Sequence, residues 1–168
     1  MIILKIIILI MIFLISTNIG ILKANSYDNR LNELKNMKNA LEMLKSKIEF
    51  TYEPIKDIFE EISKIVYKNE KNIFLDTTKM MKNYQITDSW NMAVEENKFL
   101  ISEDKSTIKM FGKLLGKTDK AGQINEINVT SKLLDTLIEK AEFEKNKNYK
   151  LFKTLGCVVG IGICIILV

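Results

Sequence analysis

The sequence predicts an all-α protein, a bundle of about six helices set between two transmembrane helices. Three observations predict this class. Both ends of the 168-residue chain are uncharged and strongly apolar. Between them, apolar residues recur at three- and four-residue steps, as on the buried face of a helix. The same stretch holds the single proline and has neither alternating apolar runs nor an Asn-Gly or Asp-Gly hairpin turn.

The two apolar ends are the predicted membrane anchors. Residues 6–22 carry no charge and, at ~1.5 Å per residue, extend roughly 25 Å as a helix, close to the hydrocarbon thickness of a bilayer. Residues 154–168 are also uncharged and extend about 22 Å, which is short for a span. We therefore predict an N-terminal anchor at 1–23, a central helical domain at 24–153 and a C-terminal transmembrane segment at 154–168.

A cleaved signal peptide is the competing interpretation of the first apolar run. Such a leader needs small residues before the cleavage site. The nearest candidate reads Leu22-Lys23-Ala24, with leucine where a small residue is required. Retention of the run as an anchor is the favoured interpretation.

The distribution of lysines predicts the orientation. Five basic residues lie at positions 23–45 and five more at positions 140–153. On the far sides of the two apolar runs, toward the chain ends, Lys5 is the only basic side chain. The positive-inside rule then places the central domain in the cytoplasm and both termini on the other side. The central domain with its flanking lysines carries a net charge of only +3, which argues against nucleic acid and for membrane lipid as a partner.

The composition argues against common catalytic sites. The chain has no histidine, so it lacks the residue needed for a serine triad and for zinc sites with imidazole ligands. Segment GKLLGKT (112–118) resembles a phosphate-binding loop, but three residues rather than four separate Gly112 from Gly116, and the preceding residues read as helix. We predict no catalytic, cofactor-binding or metal-ligating residue and no enzymatic activity.

Small residues at four-residue spacing mark both anchors. Gly156, Gly160 and Cys164 share one face of the last segment, and Ser16 and Gly20 repeat the spacing in the first. This spacing lets membrane helices approach closely. It predicts packing of the two segments, or of two copies of the chain, although glycine is also simply common in membrane helices.

The helices of the central domain can be placed from their end signals. The first is expected at about residues 27–50, and Pro54 is expected in the first turn of the second. Gly116 is expected to end the fifth helix, and Thr118 or Asp119 to cap the sixth. The sixth helix is free to continue into the final apolar segment, because no proline or glycine stands between.

Several motifs together resemble one bacterial family. The most specific is LGKTDKAGQ (115–123), accompanied by ALEMLKSKIEF (40–50), SED (102–104) and the closing LGCVVG (155–160). In this order they resemble stage III sporulation protein AB of endospore-forming bacteria, over nearly the whole chain. One departure is Lys47, where the family's pattern has glutamate.

The resemblance implies a function. Members are multi-pass proteins of the mother-cell membrane that faces the forespore. Their cytoplasmic domain is similar to that of the type II secretion F protein. The implied role is a non-enzymatic platform subunit that couples a secretion-type ATPase, stage III sporulation protein AA, to the channel between the two cells. Other stage III sporulation proteins are the implied partners, no cofactor is implied, and self-association is left open.

The resemblance also singles out a corner between two helices. Gly116, Thr118, Asp119 and Gln123 either form a surface that partners recognise or only cap the two helices. Three other functions stay open: a membrane scaffold outside sporulation, a phosphate-loop NTPase and a secreted helical protein with a cleaved leader.

Overall fold

The computed structural model describes residues 2–67, 72–113, 115 and 118–167. Within these residues the chain forms six α-helices and no β-strand, which confirms the predicted all-α class. The helices are α1 (Ile2–Phe50), α2 (Ile55–Ile65), α3 (Ile73–Met80), α4 (Ile86–Glu96), α5 (Ser102–Gly112) and α6 (Lys120–Leu167).

The two terminal helices each join an apolar end to part of the central domain. α1 runs unbroken for 49 residues, so the helix start expected near residue 27 is wrong. No proline or glycine lies between residues 21 and 50, and nothing local therefore interrupts the backbone hydrogen bonds. α6 runs for 48 residues into the final apolar segment, as predicted.

The chain divides into two compact units. The first, here called the hairpin unit, consists of Met1–Leu31 and Lys140–Val168, the outer parts of α1 and α6. The second, here called the helical unit, is Asn32–Glu139 and contains the four short helices with the inner parts of α1 and α6. The chain passes from one unit to the other only within α1 and within α6.

The core of the helical unit follows the predicted apolar periodicity. Side chains three and four residues apart on α1 face inward, and the same holds for the inner part of α6. The fully or almost fully buried positions are Leu34, Met37, Leu41 and Leu44 on α1, and Ile127, Leu134 and Leu137 on α6.

An aromatic cluster joins the four short helices, with one ring from each. Trp90 of α4 lies at its centre and is completely buried. Its ring centre is 5.8 Å from that of Phe59, 5.3 Å from Phe74 and 5.3 Å from Phe111. Two of these pairs are edge-to-face, the arrangement that the ring quadrupoles favour. The Trp90 Nε1–H also donates to the Ile108 carbonyl at 2.9 Å.

Two helix boundaries differ from the sequence prediction. Pro54 stands at the N-cap of α2, one residue before the first turn where it was expected. α5 ends at Gly112, before the expected end at Gly116, which lies outside the described residues. At this end the Lys113 N–H donates to the Met110 carbonyl at 3.2 Å, a tighter turn than an α-helix makes.

Candidate functional site

The predicted packing residues lie on one line of contact within the hairpin unit, here called the seam. At its centre Gly20 of α1 meets Gly156 of α6, backbone against backbone. A Cβ added at Gly20 would lie 2.7 Å from the Phe152 carbonyl oxygen and 2.8 Å from the Gly156 Cα. Backbone atoms cannot rotate away as a side chain can. Any larger residue at either glycine therefore requires the helices to separate.

Polar contacts continue the seam from the glycines toward the two chain ends. The Ser16 hydroxyl donates to the Gly156 carbonyl at 2.9 Å, and the Cys164 thiol lies 3.4 Å from the Leu9 carbonyl. Both contacts satisfy polar side chains that would otherwise face an apolar surrounding.

Two glycines of the last segment, Gly160 and Gly162, differ in their surroundings. A Cβ at Gly160 would lie 2.9 Å from the Phe13 ring, whereas a Cβ at Gly162 would meet no atom within 4 Å. Gly160 therefore lies on the seam and Gly162 does not. All five predicted packing residues are brought together, and a role for them in a bilayer remains a prediction.

Beyond the apolar runs, two ion pairs join α1 to α6 at the charged end of the seam. The Arg30 guanidinium, with a side chain only 5% exposed, lies 2.7 Å from the Glu144 carboxylate. The Lys145 ammonium lies 2.6 Å from Asp28, and its hydrogen bond to that carboxylate raises the pKa of Lys145. Sequence reasoning counted Arg30 and Lys145 only as orientation charges and missed this pairing, because the partners are more than 110 residues apart.

At the predicted corner the described residues make capping contacts. The Asp119 carboxylate accepts from the Gly122 N–H at 2.9 Å, the hydrogen bond of a helix N-cap, so Asp119 rather than Thr118 caps α6. The Gln123 side chain donates to the Thr118 carbonyl at 3.1 Å. Gly116, the fourth residue of the corner, lies outside the described residues.

A buried acid in the helical unit was missed by the sequence analysis. Glu33 is 8% exposed, and its carboxylate accepts from the Asn97 amide at 2.9 Å. Burial raises the pKa of Glu33 to about 6, although the Asn97 hydrogen bond acts in the opposite direction. Its position in the helix could have indicated this burial. Glu33 lies four residues before buried Met37 and eleven before buried Leu44, so it shares their face of α1.

The hydroxyl of Tyr67 is a second buried polar group in this unit. No hydrogen-bond partner for it is found among the described residues. Burial first, and the nearby Glu33 charge second, raise the pKa of Tyr67. The phenol therefore stays protonated throughout the physiological range.

We expect the free energy of unfolding to fall as pH rises through the pKa of Glu33. The pKa is about 6 in the folded chain against an ordinary 4.5, so the folded state holds the proton more tightly. This contribution is fully present below about pH 4 and is lost as pH rises past 6, by roughly 2 kcal/mol in total. Glu33→Gln keeps an acceptor for Asn97 and removes the titration.

Thermal unfolding of the full chain in detergent, at pH 4.5 and at pH 8, measures this effect. Glu33→Gln should be more stable than wild type at pH 8, and the difference should shrink at pH 4.5. Exposed Glu103→Gln serves as the control and should leave the pH profile unchanged. Identical profiles for wild type and Glu33→Gln would contradict the raised pKa.

α1 and α6 are each long and apolar enough to cross a bilayer, judged by length and composition. The most apolar stretches of these helices are almost entirely exposed, with only 6% and 11% of their residues buried. Exposed apolar surface of this kind is unlike the core helix of a water-soluble protein. Among the described residues, no group of three or more Cys, Asp or Glu side chains could hold a metal ion.

The fold and the seam define a class: an all-α protein whose two ends form an apolar helix hairpin with candidate membrane spans. The sequence model of the stage III sporulation protein AB family matches residues 5–168. The chain belongs to this family, which confirms the resemblance seen in the sequence and supports a role in sporulation.

A solved structure of stage III sporulation protein AB has a similar fold. Its TM-score is 0.62 at 18% sequence identity, and the match covers 71% of this chain and 98% of that one. At this identity the likeness shows the fold. Comparison with curated protein sequences finds no match.

Proposed function

We propose that the protein is a non-enzymatic membrane platform subunit of the sporulation channel complex between mother cell and forespore. In this role it couples a secretion-type ATPase to the channel, with other stage III sporulation proteins as partners. Membership of the sporulation family supports the setting. The observation that carries the platform role is the hairpin unit, in which both chain ends expose apolar surface, with the charged helical unit between them in the sequence.

The lysine distribution supports a cytoplasmic helical unit in this proposal. With ten basic residues on the inner flanks and Lys5 alone outside, the positive-inside rule favours placing residues 24–153 in the mother-cell cytoplasm. An ATPase needs that placement, because its nucleotide is cytoplasmic. A helical unit on the opposite side of the membrane from the cytoplasm could not contact such a motor.

Topology is tested by cysteine labelling. Cys157 and Cys164 are replaced with serine, and exposed Asn146 is replaced with cysteine. Intact cells treated with a membrane-impermeant maleimide should leave this cysteine unlabelled until they are permeabilised. A cysteine appended after Val168 is the matched control and should be labelled in intact cells. Labelling at position 146 in intact cells would end the motor-coupling proposal.

For the corner, we propose that Thr118, Asp119 and Gln123 act mainly by capping α6, with partner recognition as the alternative. The hydrogen bond from Gly122 to Asp119 supports capping. Asp119→Asn keeps this acceptor and removes the exposed charge, so sporulation should be normal. Asp119→Ala removes the acceptor and should cost about 1 kcal/mol of stability. A sporulation defect in Asp119→Asn with unchanged thermal stability would support the partner surface instead.

A further inference from the structure

A groove runs along one side of the seam within the hairpin unit. Its volume is about 700 Å³, and its walls extend from Ile12 to Lys23 on α1 and from Phe152 to Ile163 on α6. The walls are apolar apart from Lys23 and Ser16, and the Ser16 hydroxyl already donates to a backbone carbonyl.

The length of the groove matches half a bilayer. Eleven residue steps separate its ends on each helix, which at 1.5 Å per residue is roughly 16 Å. The hydrocarbon core of a bilayer is about 30 Å thick, so one leaflet contributes about 15 Å. The groove fits the acyl chains of a single leaflet.

The polar end of the groove carries one positive charge. The Lys23 ammonium lies 5.5 Å from the centre of the Tyr27 ring and 5.9 Å from that of Phe152, which hold it by cation–π attraction. Among the described residues no carboxylate forms an ion pair with Lys23, unlike Arg30 and Lys145 further along. Lys23 directly follows the uncharged run, at the level of lipid headgroups. An uncompensated cation there is complementary to a phosphate.

We propose that the groove binds one anionic phospholipid, with an acyl chain along the seam and the headgroup phosphate at Lys23. This proposal rests on the membrane anchoring of the proposed function, and it adds the class of lipid that the anchored hairpin would bind. Because the lipid lies against both α1 and α6, it would stabilise the closed hairpin.

Lipid counting on the full chain tests the site. The protein is purified in mild detergent with equal amounts of phosphatidylglycerol and phosphatidylcholine, and retained lipids are counted by native mass spectrometry. Wild type should retain one phosphatidylglycerol per chain. Lys23→Gln should reduce this retention roughly fivefold, the effect of one lysine at an anionic surface. Lys153→Gln removes an equal charge outside the groove and should retain the lipid.

Filling the groove gives a second, independent variant. Ile19→Trp places a large ring in the groove wall and should displace the lipid with the charge unchanged, whereas exposed Leu22→Trp lies outside the wall and should not. Equal retention of the two lipids, equal losses in Lys23→Gln and Lys153→Gln, or a lipid-free dimer would each overturn the proposal. These outcomes leave the cysteine-labelling result untouched, so failure here is distinguishable from failure of the platform function.

Discussion

Replacing Trp90 with alanine is expected to lower the free energy of unfolding of the helical unit by about 3–5 kcal/mol. Trp90 is completely buried, contacts a ring from each of the other three short helices, and donates to the Ile108 carbonyl. Removing so large a core side chain typically costs 3–5 kcal/mol. A domain of this size has a free energy of unfolding of about 5–15 kcal/mol, so the substitution would remove a substantial part of it.

Hydrogen exchange of the full chain in detergent measures the loss. Amides of α2 to α5 should exchange roughly 10² to 10³ times faster in Trp90→Ala, since each 1.4 kcal/mol corresponds to about a tenfold change. Trp90→Phe should lose much less, because it keeps most ring contacts. The half-exposed Tyr84 gives a surface control, and Tyr84→Ala should stay close to wild type. Unchanged protection in Trp90→Ala would show that the aromatic cluster does not hold these helices together.

The tight packing around Trp90 also depends on Gly112. A Cβ added at Gly112 would lie 2.2 Å from Cδ1 of the indole, so α5 packs on the tryptophan only because residue 112 has no side chain. The glycine that the sequence analysis considered as part of a phosphate loop is thus explained by packing. Its helical setting also differs from the strand-to-helix loop that phosphate binding requires.

Replacing Gly156 with leucine is expected to open the hairpin. Its Cβ would lie 2.9 Å from the Gly20 Cα and 3.0 Å from the Ser16 carbonyl oxygen, both backbone atoms. Overpacking a tight contact costs roughly 1–3 kcal/mol even where side chains can move. Here only separation of the two helices relieves the clash, and the contacts on both sides of Gly156 would be lost with it.

Cross-linking reports the closed hairpin directly. With Cys157 changed to serine, Cys164 and a cysteine in place of Leu9 are positioned to be joined by a short thiol-reactive linker, since the Cys164 sulfur lies 3.4 Å from the Leu9 carbonyl. The yield should fall at least fivefold in Gly156→Leu. Gly162→Leu is the matched control, because a side chain there enters open space. Equal yields in the two variants would mean that the seam does not hold the hairpin closed.

The sequence by itself determined the all-α class and the buried stripe of α1, because each depends on residues within a few positions along the chain. It left the cap of α6 open between Thr118 and Asp119, and the structure selected Asp119. The sequence motifs were also sufficient to recognise the family. Only the tertiary structure decided that the first and last segments of one chain pack on each other, that Glu33 is buried, and that Lys23 closes an apolar groove. Those properties depend on which surfaces meet across as many as 155 residues, and spacing along one helix cannot specify its partner. Gly20 and Gly156 show the difference: the sequence marked both as small, and only the fold placed them against each other.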